Sequence, residues 1–136
     1  MKPVLVDSGF LIALFLPADK LAAPAARYLL EHKHPLATVS AAVAETCFHL
    51  RPARKADLLT WLRRGSVSIA EVPVGAYAQL ELTLRKYADQ DIDFVDAALV
   101  WLANETGAVR ILTVDHADFS VLRLKGGKHF ELIDWF

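Results

Sequence analysis

The sequence predicts an α/β fold, a three-layer α/β/α sandwich around a central, mostly parallel sheet. Two observations lead there. Short apolar runs alternate with helical stretches along the chain, and strands that alternate with helices pair in parallel. Hydrophobic residues make up 54% of the chain, enough for the central elements to be covered on both faces. A length of 136 residues fits a single domain, residues 1–136, with a real core and no linker or repeat.

PVLVD (3–7) is short and apolar and reads as the first strand. Ser8 caps GFLIALF, a helix that runs until Pro17. Ala22 to Lys33 reads as a second helix, with Pro24 tolerated in its first turn and Pro35 beyond its end. LATVS (36–40) is a strand, and Ser40 caps the Ala-rich helix AAVAETCFHL. RPARKADLLTWLRRG is an amphipathic helix stopped at Gly65. VSIAEV (67–72) alternates in the manner of a strand, Gly75 to Tyr87 is helical, and YADQDID is a polar loop. Phe94 to Glu105 is a helix apolar nearly all round, ended at Gly107. AVRILTV (108–114) is a buried strand, and the tail KHFELIDWF adds a last short one.

Bulk composition excludes several classes. No apolar stretch reaches the ~18–20 residues of a membrane span, and the N-terminus lacks the pattern of a signal peptide. The single cysteine, Cys47, rules out an internal disulfide and a Cys-rich zinc site, so a cytoplasmic setting is expected. Net charge is −1, but it is unevenly spread. Arg51, Arg54, Lys55, Arg63 and Arg64 face one acid, Asp57, within 51–64, whereas residues 89–96 hold four aspartates. Basic flanks around an acidic centre suit phosphates at the edge and cations in the middle.

The chemistry rests on four acids, Asp7, Glu45, Asp96 and Asp115. Asp7 and Asp115 each close an apolar run that reads as a strand; Glu45 and Asp96 lie inside apolar helices. In an open parallel sheet, ligands bind at the carboxyl ends of the strands near the switch point, where these four would meet. Four carboxylates in one crevice repel one another unless a cation joins them, and an all-oxygen set favours magnesium or manganese over zinc. Each acid also has a plainer role. Asp7 suits the cap of the helix that starts near Ser8, and Glu45 a solvated helix face. Asp96 suits a capping arrangement with Asp93, and Asp115 a turn with Asp118. Their joint placement carries the weight.

On these residues the chain resembles the PIN-domain ribonucleases, and among them the VapC-type toxins of bacterial toxin–antitoxin pairs. VDSGFLIALF is similar to the family's first-strand motif and AVAETCFHL to its glutamate segment. YADQDIDFVDAALVWLANETGAVRILTVDHADF is similar to its Asp-Ala helix and Thr-x-Asp strand end. The resemblance implies metal-binding, catalytic roles for Asp7, Glu45, Asp96 and Asp115. It implies supporting roles for Ser8 and Thr113, whose hydroxyls would sit beside the metal or hold a carboxylate, and for Asp118. It further implies Mg2+- or Mn2+-dependent hydrolysis of RNA phosphodiesters, a homodimer, and a small antitoxin partner lying across the active-site groove.

Other readings compete. A phosphoacceptor signalling domain needs adjacent acids after its first strand, but Ser8 follows Asp7; an aspartyl phosphatase needs an acid at position 9, which is Gly9. Glu45 and His49 are four apart, but no second histidine completes a zinc set. Cys47 lies in an apolar helix and reads as core. Gly126-Gly127-Lys128 lacks the spacing of a phosphate loop. A noncatalytic PIN-fold binding module and a housekeeping RNA-processing nuclease complete the set.

Overall fold

The computed structural model describes residues 2–136. A five-stranded sheet is built from β1 (Val4–Val6), β2 (Leu36–Val39), β3 (Val67–Ala70), β4 (Arg110–Leu112) and β5 (Glu131–Leu132). The strand order is β3-β2-β1-β4-β5, and every ladder is parallel. The chain steps outward from β1 through β2 to β3, then returns to the other side of β1 as β4. The switch point therefore lies between β1 and β4, where Leu5 pairs with Ile111 and Val6 with Leu112.

The helices are α1 (Ser8–Phe15), α2 (Ala22–Glu31), α3 (Ser40–Phe48), α4 (Pro52–Arg63), α5 (Tyr77–Lys86), α6 (Phe94–Thr106) and α7 (His116–Val121). Alternating strand residues feed two cores. Leu5, Ala37, Val39 and Ile111 join α5, α6 and α7 on one face; Val4, Val6, Leu36 and Leu112 join α1 and α2 on the other, closed by Trp135. Phe10 meets Trp135 edge-on at 4.9 Å between ring centres and Tyr28 at 6.0 Å. Coverage on both faces explains why the central strands lack a polar side and why α6 is buried from Val95 to Ala103.

Several elements differ from the sequence reading, each for a local reason. The strands are shorter: Asp7 leaves the sheet to become the cap of α1, and its carboxylate accepts the Ser8 N–H at 2.8 Å. The cap of the first helix is thus Asp7 and not Ser8. Ser40 is the first helical residue of α3, and the extended Val39 precedes it with no side-chain cap. The helix expected from Gly75 begins as a 3-10 turn at Val74–Ala76 and becomes α-helical at Tyr77. Asp115 does not end β4. It lies past the strand as the cap of α7, a helix the sequence reading lacked. Gly107 ends α6 in the left-handed region, φ 75°, as its position implied.

Candidate active site

Asp7 stands at the switch point. Its backbone N–H donates to Leu112 O at 3.0 Å, which ties the end of β1 to the end of β4. Asp7 is 6% exposed, and its carboxylate receives two hydrogen bonds, from the Ser8 N–H and from the Thr113 hydroxyl at 2.9 Å. Burial nonetheless pushes the carboxyl up to about 6, and the charges of Glu45 and Asp93 add to the rise.

Thr113 joins the two strand ends. Its fully buried hydroxyl donates to Asp7 and accepts the Asp115 N–H at 2.9 Å. Its carbonyl accepts the Trp135 indole N–H at 3.1 Å and lies 3.1 Å from His116 Nε2. Close packing brings the following loop onto α1: a Cβ on Gly9 would stand 2.5 Å from Cγ2 of Val114. Glycine at position 9 therefore lets the segment carrying Asp115 approach the turn carrying Asp7.

On the other side, α3 leans over the start of α1. The Ser8 hydroxyl donates a short hydrogen bond to Glu45 Oε1, so the two positions, 37 apart in sequence, meet directly. Asp96 is in the first turn of α6 and forms a reciprocal capping box with Asp93, with bonds of 3.0 and 3.1 Å. Burial first, then the charges of Asp93 and Asp7, raise the Asp96 carboxyl to about 8. Asp118 donates its N–H to Asp115 Oδ1 at 3.3 Å. The Asp118 carboxyl is raised to about 6, chiefly by hydrogen bonding with the Asp115 carboxyl.

The acids form a connected arrangement. Hydrogen bonds run from Glu45 to Ser8, and from Asp7 through Thr113 to Asp115 and Asp118; the charge of Asp7 adds to the rise of Asp96. Hydrogen bonding to hydroxyls and amides occupies them, and among the described residues no three acidic, histidine or cysteine side chains converge in one ligand shell. The donor set is nonetheless all oxygen, and two of its members are buried carboxyls that resist ionisation. That is the chemistry a hard divalent cation relieves.

A protein-family model described as PIN domain matches residues 4–123. The chain belongs to the PIN domain family. Among curated proteins, Ribonuclease VapC26 of Mycobacterium tuberculosis is 37% identical over 76 residues, 56% of each chain, so the match spans about half the length of that relative. Among solved structures, the sarcin-ricin loop cleaving toxin VapC20 of Mycobacterium tuberculosis superposes with a TM-score of 0.69 at 19% identity. That superposition covers 79% of this chain and 86% of the other, a likeness of fold.

Two contributors escaped the sequence reading. From the sequence Asp93 reads only as a capping residue, yet its charge raises the carboxyls of Asp7, Asp96 and Asp118. The signal was the run of four aspartates in 89–96. Trp135 holds the Thr113 carbonyl from the far end of the chain, and no local pattern marks it.

Proposed function

We propose that this protein is a divalent-metal-dependent endoribonuclease that hydrolyses RNA phosphodiester bonds. In this reading it acts in the cytoplasm as the toxin of a toxin–antitoxin pair, as a homodimer restrained by a small cognate antitoxin. The observation that carries the reading is a buried carboxylate at the β1–β4 switch point, Asp7. It is hydrogen-bonded to Thr113 on the adjacent strand end, lies within the field of Glu45 and Asp93, and adds its own charge to the rise of Asp96. Membership of the PIN family and 37% identity to a ribonuclease over 56% of the chain support the same chemistry.

Asp7, Glu45, Asp96 and Asp115 would hold Mg2+ or Mn2+, which would favour deprotonation of an attacking water and offset charge on the phosphate. The chain's own part is positioning. Ser8 fixes the Glu45 carboxylate and Thr113 that of Asp7, so both present oxygens without rotating freely. The Asp93–Asp96 box fixes the first turn of α6, and Asp118 anchors Asp115 through its amide.

The test is cleavage of total RNA by the purified protein, with sites mapped by end sequencing. Magnesium or manganese should be required, and a chelator should stop the reaction. Wild-type protein that leaves RNA intact with either metal would favour a binding module over an enzyme.

A further inference from the structure

The acids around Asp7 repel the RNA backbone, and the chain as a whole is slightly negative, so substrate affinity must come from outside that cluster. Phe48 ends α3 at 85% exposure, the highest among the exposed large apolar side chains of the described residues. Glu45, Phe48 and His49 are spaced i, i+3, i+4, which puts Phe48 and His49 beside Glu45 on one side of the helix. Arg51 then occupies the N-cap position of α4 without a side-chain capping bond, and Arg54 and Lys55 follow in its first turn, which contains no acid.

Both features are locally unfavourable. A bare phenyl ring in water has no folding benefit. Positive charge at the N-terminus of a helix opposes its dipole. The Arg54–Asp57 ion pair is long, at 3.6 Å, and exposed, so it does little to compensate. Two adjacent departures from local stability, one helical turn from a site acid, indicate a binding role. An exposed aromatic ring at the end of α3, followed in the chain by Arg51, Arg54 and Lys55 at the start of α4, matches the way proteins hold single-stranded RNA, by stacking bases and contacting flanking phosphates.

We propose that Phe48 is a stacking platform for one base of single-stranded RNA, with Arg51 and Arg54 holding the adjacent phosphates, so that the strand is led across α3 to Glu45. The proposal rests on the ribonuclease reading for its direction, and its test separates the two. A short single-stranded RNA carrying 2-aminopurine is titrated with the Asp7→Asn protein, alone and combined with Phe48→Ala, Phe48→Tyr or the pair Arg51→Ala and Arg54→Ala. Stacking should quench the 2-aminopurine. Phe48→Ala should remove the quench and weaken binding on the order of 5- to 150-fold, while Phe48→Tyr keeps both. The arginine pair should make binding less salt-sensitive by about one to two units of slope. With Asp7 intact, Phe48→Ala should raise KM and leave kcat within about twofold.

Unchanged affinity and unchanged KM in Phe48→Ala would overturn the platform while leaving the nuclease standing. So would a Phe48→Ala protein that binds RNA normally but sediments as a smaller species, because a second copy would then be what covers the ring. Loss of the fold is not expected, since Phe48 lies outside both cores. Absence of cleavage by wild type would end the ribonuclease reading, and the titration would still report on the platform.

Discussion

Asp7 and Asp96 are buried beside core elements, whereas Asp115 and Asp118 are the cap and a first-turn residue of a six-residue helix at a partly exposed rim. The inner pair is carried by the β1–α1 junction and by α6, whose positions the two hydrophobic cores determine. The outer pair is carried by α7, where Phe119 is the buried residue, and is linked inward through Thr113. Inner carboxyls are thus placed rigidly at the expense of their charge, which burial disfavours. Outer ones keep contact with water, and their placement depends on one hydroxyl and on the close approach of Val114 to Gly9. The inner half is the preorganised part of the crevice and the outer half the adjustable part.

If that division holds, substitutions that remove charge without changing shape should differ most in activity. Asp7→Asn should lower RNA cleavage on the order of a thousandfold or more, because on the proposed reading it removes a metal ligand. Asp118→Asn should lower it about tenfold to a hundredfold, the range for a group that orients a ligand. Single-turnover rates at saturating RNA measure both. Equal losses would mean that rim and interior contribute alike and would erase the distinction.

The link between the halves is the next target. Thr113→Val keeps the shape but leaves Asp7 Oδ2 and the Asp115 N–H without their partner, which should cost about 1–3 kcal/mol. A drop in melting temperature of roughly 3–10 °C follows for a chain of this size. Thr113→Ser retains the hydroxyl and should recover most of the activity, though not the packing of the lost methyl. A valine variant that cleaves normally would show that α7 finds its place without this bond.

The same division marks what could be read from the chain beforehand. Asp7 and the β1, β2 and β4 runs were legible because short apolar strands covered on both faces leave an unbroken hydrophobic signature. Glu45 stood out as a carboxylate among Ala42, Val43 and Ala44. The outer half was harder to see. HADFSV is too short to show a helical period, so Asp115 with Asp118 read as a turn rather than as a cap with its third residue. The Ser8–Glu45 and Thr113–Asp7 bonds span 37 and 106 positions, and only the strand order brings them together. Asp93 and Asp96 were recognised as a cap from local chemistry. The electrostatic effect of Asp93 on Asp7 emerged only with the fold.

Stability against pH gives the finest test of the contrast. In the metal-free protein Asp7 is raised from 3.8 to about 6 and Asp96 from 3.8 to about 8, both mainly by burial. Between those values the folded state keeps protons that the unfolded chain has released. The stability contributed by the neutral carboxyls is therefore full below about pH 4 and is lost as pH rises through about 6 for Asp7 and about 8 for Asp96. In chelator, the melting temperature should fall by a few degrees from pH 5.5 to pH 8. Asp7→Asn should flatten the lower part of that decline. Asp118→Asn should alter it less, because solvent reaches the rim and screens its charge. Millimolar magnesium should then raise the melting temperature more at pH 8 than at pH 5.5, since the ligands must be ionised to bind it. A metal-free melting temperature that climbs over this interval would mean that the inner carboxyls ionise without strain, and that inner and outer acids are alike after all.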